Sequence, residues 1–540
     1  MNKLKKYKLA ILPFFAGLAL LFYSWYASFP VWIKFPGDYV FNHVSPFYWV
    51  SLPLILGSLY IIGVFSKNRP VKFFAVIATV LAIYSLFYFS STMPTQDSQF
   101  FRGLAEYFIN SHKLDSSQIN HFYLQWPSYF FLADIVTSVT GLSLIQFEFL
   151  FFAIIGVLMS TALYVYASKL FKDAAVLAVI SFFVSMYYFL NYQSVPFSFA
   201  IALTFILFML ETQKKSTPVI VSMFVIFFCI SITHFFVAIF FILYLVIRTI
   251  ISKSKQYAAL SLLTFAIYVV SQLTFDSWTW LQSNFKLFLN SSPEYSGLVQ
   301  ASLKTSIIPA DVLFQNISRT VTVGTILICL LGFILLLATR KLRAIDAAIF
   351  ISGLAYAAIG LVAYFLGTRS IPIFFIPIAL GTACLLETVR LRRFRPILHA
   401  LFLVLILLFV FAPIHNSFNT FASTYVPIQT SESSNAEHFL LDNYNWMIRG
   451  SVLSHYPITL YLESRLEIIH VRVTLDDDSS LTSKTLKDYN CVFYTVGLGN
   501  SFEKYNYTID GFNSQEKLSV IYNNGISQIS VRTPVLISTP

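Results

Sequence analysis

The feature that most constrains this chain is a succession of apolar stretches separated by basic loops. It stops at His415 and gives way to a polar tail. A helix needs about 20 predominantly apolar residues to cross the hydrocarbon core of a bilayer, and roughly thirteen such stretches precede residue 415. They fall near 8–29, 47–65, 73–91, 143–168, 174–192, 197–211, 218–232, 235–251, 257–275, 321–339, 346–366, 371–388 and 397–414. The expected fold is therefore an all-α polytopic membrane domain of about 13 transmembrane helices over residues 1–414, with a separate domain over 415–540. Only 11% of the residues are charged and 57% are hydrophobic, against about 25% charged in soluble domains.

The net charge of +11 invites a nucleic-acid reading, but its distribution argues against one. With the N-terminus placed in the cytoplasm, the loops on that side hold 21 Lys and Arg, from Lys3, Lys5, Lys6 and Lys8 through to Arg390, Arg392, Arg393 and Arg395. The opposite side holds 7: Lys34, Arg102, Lys113, Lys286, Lys304, Arg319 and Arg369. That bias is the positive-inside signal of a multi-pass protein of the cell membrane. The basicity is topological and implies no nucleic-acid partner. An odd number of spans puts the tail outside, together with the sequons at Asn290, Asn316 and Asn506, triplets that are common by chance. The first apolar stretch is long and lacks a small-residue cleavage site after Phe29-Pro30, so it reads as a retained helix. Cys229, Cys329 and Cys384 lie inside spans and Cys491 is alone in the tail, which implies neither a disulfide framework nor a structural metal.

Two external segments are long, about 92–142 and 276–320, and long loops in compact proteins tend to carry function. The first contains Asp97 and then Phe100, Phe101, Leu104, Tyr107 and Phe108 on one helical face. A second short helix is expected after Trp126, with Pro127 at its first position. Both suit the membrane interface, and their aromatic residues imply a lipid partner.

Asp97 thus sits where a span leaves the membrane and an amphipathic helix begins. It is a candidate general base, with N-cap of that helix as its alternative role. Arg102, one helical turn on, would pair with Asp97 or meet the same substrate phosphate. Asp38 follows Pro36-Gly37 and reads first as a turn residue. Arg369, in Leu366-Gly-Thr-Arg369-Ser-Ile-Pro, is nearly the only cation on its external turn. It is a phosphate ligand by position or an arginine snorkelling to the interface. His234 lies at the outer end of a span, either at a substrate or satisfying a backbone carbonyl. His121, near Tyr123 and Trp126, would contact an acceptor sugar.

An acidic residue just outside a span, two juxtamembrane helices, many further spans and an external C-terminal domain together resemble the GT-C superfamily of polyprenyl-phosphate-sugar-dependent glycosyltransferases. Relatives in that superfamily include protein O-mannosyltransferases, lipid A aminoarabinose transferases and the catalytic subunit of oligosaccharyltransferase. The segment from Pro94-Thr-Gln-Asp97 through Asn120-His121-Phe-Tyr-Leu-Gln-Trp126-Pro-Ser-Tyr resembles the superfamily's first catalytic loop. Tyr192-Gln-Ser-Val-Pro196 and Thr233-His234 resemble turns of archaeal members. The likeness covers about residues 90–300, and the rest by architecture only. It departs where the oligosaccharyltransferase tail motif should stand, since Asn443-Tyr-Asn-Trp446 is a poor substitute, and where loop one carries a single Asp. What the resemblance implies is a monosaccharide transferase. Its donor would be a polyprenyl-phosphate-linked sugar, its acceptor a protein, lipid or glycan, and the anomeric carbon would be inverted. A lipid-linked-sugar flippase or transporter, a glycan polymerase or ligase, and an inactive scaffold of the same fold are the alternatives. A transporter should show mid-membrane charges and internal repeats, and neither is evident in the sequence.

The tail reads as a small extracytoplasmic α/β domain, with a helix over 431–447 and strands near 451–454, 466–473, 491–496 and 518–522. Gly497-Leu-Gly499 lacks the rest of a phosphate loop. No cofactor is called for, although Asp476-Asp-Asp478 leaves a divalent cation open beside a solvated turn.

Overall fold

The computed structural model describes residues 3–29, 44–85, 88, 96–111, 125–171, 174–186, 195–214, 216–275, 309–362, 364–388 and 394–409, with four strands between 452 and 532. Fifteen helices occur among these residues: α1 Lys3–Ser28, α2 Pro46–Phe65, α3 Arg69–Ile83, α4 Gln96–Ser111, α5 Ser128–Thr140, α6 Leu144–Ser168, α7 Ala175–Met186, α8 Pro196–Glu211, α9 Thr217–Ser231, α10 Phe235–Ser252, α11 Lys255–Thr274, α12 Pro309–Ala338, α13 Ala344–Val362, α14 Tyr364–Thr388 and α15 Phe394–Phe409. Six of them contain stretches long and apolar enough to cross a membrane: Ala10–Ser28, Pro46–Phe65, Leu144–Ser168, Phe235–Ser252, Lys255–Thr274 and Thr320–Ala338. The protein is a multi-pass, helical membrane protein. Large apolar side chains stay exposed on these helices, among them Leu12, Phe22 and Tyr26 on α1 and Leu262 on α11. Apolar exposure on that scale suits lipid rather than water.

Other helices are shorter than the apolar runs that contain them. The run 174–192 yields α7, which ends at Met186, and every residue of α7 is buried. A helix that is apolar on all sides belongs in a protein interior, and α7 packs against α2, α3, α6, α12 and α14. It is the axis of the bundle. Around it, α12 and α14 cross closely at glycines. A Cβ placed on Gly332 would fall on the carbonyl of Gly381, and one on Gly381 would meet the backbone of α12. Without a hydrophobic drive between helices in lipid, such small-residue contacts let backbones approach and gain dispersion. Proline interrupts α1, α2 and α14 without ending them, which membrane helices tolerate when neighbours satisfy the freed carbonyls.

The expected turn around Arg369 is not where the chain breaks. Instead α14 runs unbroken through Gly367, Arg369 and Pro372. Gly and Pro there suggest a turn in sequence, but helix packing against α13 governs. Likewise α12 begins at Pro309, so Asn316 lies on helical backbone, whereas a glycosylation acceptor belongs in a surface loop.

In the tail, β1 Val452–Leu453, β2 Cys491–Thr495, β3 Leu518–Asn523 and β4 Ser527–Arg532 form one sheet in the order β1-β2-β4-β3. β1 runs parallel to β2, and the other pairs are antiparallel, with Phe493 opposite Ile529 and Leu518 opposite Arg532. The helix and strand expected at 431–447 and 466–473 lie outside the described residues, as do Asp476–Asp478.

Candidate functional site

The pieces of the first long loop meet at one end of the bundle. Ser143 caps α6 with a full capping box, its hydroxyl accepting from the Gln146 amide while the Gln146 side chain accepts from the Ser143 N–H. This fixes the start of α6, so that Glu148 lies one turn inside it. Arg102 of α4 reaches across and donates from Nε to Glu148 Oε1 at 3.1 Å. Both partners are buried, at 6% and 0% exposure. The apolar face of α4 closes the same contact: Phe101 packs on Tyr129 and Phe130, and Phe108 meets Phe131 edge-on at 5.2 Å. Of the amphipathic face read from the sequence, Phe101, Leu104 and Phe108 are buried against protein, as is the neighbouring Ala105.

Asp97 falls in the first turn of α4, one position into the helix. The ion pair that fixes α4 fixes the backbone that carries Asp97. Arg102 forms a buried ion pair with Glu148, a partner that its spacing from Asp97 did not suggest. Glu148 itself escaped the sequence reading because it lies inside an apolar run. A lone carboxylate in such a run is a signal in its own right, since ionisable groups in spans are costly and kept for a purpose.

A second lock joins the next segment to the bundle. The Trp126 indole donates to Gln272 Oε1 at 3.1 Å, and Gln272 Nε2 donates to the Ser231 carbonyl at 3.1 Å. The Ser128 amide donates to the Ile232 carbonyl at 3.1 Å. Pro127 stands just before α5 instead of at its first position. These bonds tie the loop to the turn between α9 and α10, where His234 occupies the N-cap position of α10. His234 is 4% exposed, its ring 5.2 Å from that of Phe197, and its amide donates to the Ile230 carbonyl at 2.9 Å.

From the neighbouring helix, the Tyr356 hydroxyl donates to the Phe236 carbonyl at 2.9 Å, so the last turns of α13 reach this same end. Gly353 of α13 packs under Phe374 of α14. In an antiparallel pair at about 1.5 Å rise per residue, this places the backbone of Arg369 about 7.5 Å beyond Phe374, level with a point one turn short of the end of α13. The structure thus brings Arg102, Glu148, His234, the first turn of α4 with Asp97, and the segment with Arg369 to one end of the bundle. Asp38 and His121 lie outside the described residues. No group of three or more His, Cys, Asp or Glu side chains converges as a metal site among the described residues. Compared with known proteins, the chain matches no family model and no curated protein.

Proposed function

We propose that this protein is a GT-C-type membrane glycosyltransferase that moves a sugar from a polyprenyl-phosphate donor to a protein, lipid or glycan acceptor. On this reading about 13 spans, an N-terminus in the cytoplasm and an extracytoplasmic α/β tail place the chemistry at the external end. The observation that carries the proposal is the clamping of α4 across one bundle end by the buried Arg102–Glu148 pair, with Asp97 in the helix's first turn. Catalysis demands a carboxylate held to within a fraction of an ångström by a rigid element, and this arrangement supplies the rigid element.

In the reaction proposed, the acceptor hydroxyl oxygen bonds to the anomeric carbon as the bond from that carbon to the phosphate oxygen breaks. The polyprenyl phosphate leaves with the electron pair, and Asp97 takes the hydroxyl proton. Negative charge grows on the phosphate, which calls for a cation. Arg102, paired with Glu148, positions α4. Arg369 is the cation that meets the phosphate, and His234 holds the turn against which the loop docks.

A transporter would concentrate buried charge at mid-membrane. Among the described residues the buried carboxylates Glu148, Glu211 and Asp346 all lie within about two turns of a helix end, which favours the transferase. The test uses the full chain in detergent with radiolabelled polyprenyl-phosphate mannose and glucose. Transfer or release of sugar by the native chain, lost in Asp97→Asn, is the expected result. Turnover retained by Asp97→Asn would remove Asp97 from the mechanism, and donor binding without turnover in either form would favour the flippase or the inactive scaffold.

A further inference from the structure

The end of the bundle opposite His234 carries two side-chain clusters of the same composition. In one, Asp346 at the start of α13 accepts hydrogen bonds from the Tyr166 hydroxyl and from Arg343, whose Nε and Nη2 lie 2.8 and 3.0 Å from its two oxygens. The Arg343 guanidinium carbon stands 4.6 Å from the Tyr166 ring centre. In the other, Glu211 at the end of α8 accepts from the Tyr257 hydroxyl. Arg248 Nε is 3.6 Å from Glu211 Oε1, and its guanidinium carbon is again 4.6 Å from the tyrosine ring.

The clusters differ in how fully the arginine is used. Arg343 grips its carboxylate with two nitrogens, a saturated fork. Arg248 makes only the loose approach to Glu211 and a 3.5 Å contact from Nη2 to the Tyr257 oxygen. Its Nη1 is buried and has no hydrogen-bond partner among the described residues. Tyr244, one turn earlier on α10, is 0% exposed and interacts electrostatically with Glu211, Arg248, Tyr257 and Tyr166. Its hydroxyl also has no hydrogen-bond partner among the described residues. With Arg248 Nε, too far from Glu211 for a hydrogen bond, three buried donors in one cluster lack acceptors among the described residues, a costly arrangement unless something completes it.

The surroundings say what kind of group would. Glu211 is balanced by Arg248 and by the Tyr257 hydroxyl. Lys169, Lys214 and Lys253 stand exposed on the adjoining loops and Lys255 at the start of α11, with Lys169 Nζ donating to Gln213 beside Glu211 at 3.3 Å. A trapped water would satisfy the donors but makes no use of a cationic rim. A phosphate offers several oxygens, so the guanidinium, the phenol and a lysine each address a different one. Basic pockets between helix ends at a membrane surface suit anionic headgroups for this reason.

We propose that Arg248 and Tyr244, with the lysine rim around them, form a binding site for a phosphate group, carried either by an anionic lipid headgroup or by a free phosphate. This site lies at the opposite end from Asp97 and stands or falls independently of the transferase reading.

The experiment is native mass spectrometry and thermal unfolding of the full chain in detergent, titrated with dioctanoyl phosphatidic acid and with inorganic phosphate. An adduct that raises the Tm with the lipid alone identifies a headgroup site, and competition by inorganic phosphate identifies a site for the free anion. Tyr244→Phe keeps the ring that packs 5.0 Å from Phe208 and 5.5 Å from Phe241 and should weaken binding about tenfold, the effect of one lost hydrogen bond to a charged acceptor. Arg248→Lys should weaken it further. No adduct with either probe, or Tyr244→Phe binding as tightly as the native chain, would overturn the proposal.

Discussion

Arg102 and Glu148 are a buried ion pair, and the loss of one member matters more than the loss of both. Removing one partner strands a desolvated charge, at a cost of about 3–5 kcal/mol, whereas an apolar pair of similar volume is often neutral. Arg102→Met should therefore lower the unfolding temperature in detergent sharply, and adding Glu148→Met should recover much of the loss. A double mutant no more stable than the single would show that the pair does not act as a unit. Asp97 is on a different footing, since Asp97→Asn should abolish transfer while leaving the unfolding temperature near native. The residue types at this end were legible in the sequence: Asp97 and Arg102 as loop-one polar residues, His234 beside a span boundary. Their partners were not, because the partner of Arg102 is 46 positions away and that of Trp126 is 146 away, and no local period relates them.

At the scale of elements, α12 and α14 approach backbone to backbone where they cross at Gly332 and Gly381. Gly381→Leu should force these backbones apart at a cost above the 1–3 kcal/mol typical of overpacking, because the obstacle is the backbone of α12 and not a movable side chain. A thermal unfolding scan that shows no change would mean the helices do not meet there. Element boundaries were readable where apolar runs stand between charges, as for α2, α6, α10 and α11. They were misread where Gly367 and Pro372 lie within α14, because lipid-embedded helices accept residues that end soluble ones. The strand β4 went unread, although the Asn524-Gly525 pair between β3 and β4 is the strongest short-range hairpin signal.

For the whole molecule, the charge bias predicts orientation. A fusion of alkaline phosphatase after Pro540 should be active and one after Lys255 inactive, since that enzyme folds only outside the cytoplasm. The reverse pattern would invert the molecule and move Asp97 to the cytoplasmic face. The six helices that are long and apolar enough to span agree with the multi-pass reading, and what periodicity alone did not convey is which runs face lipid and which face protein. α7 is the clearest case of the latter. During synthesis it leaves the ribosome well before α12 and α14, the helices that later cover part of it. A nascent chain that ends at Thr274 holds an inner pillar with one flank bare, so the membrane, or a chaperone within it, must shelter that flank until the second half of the protein arrives.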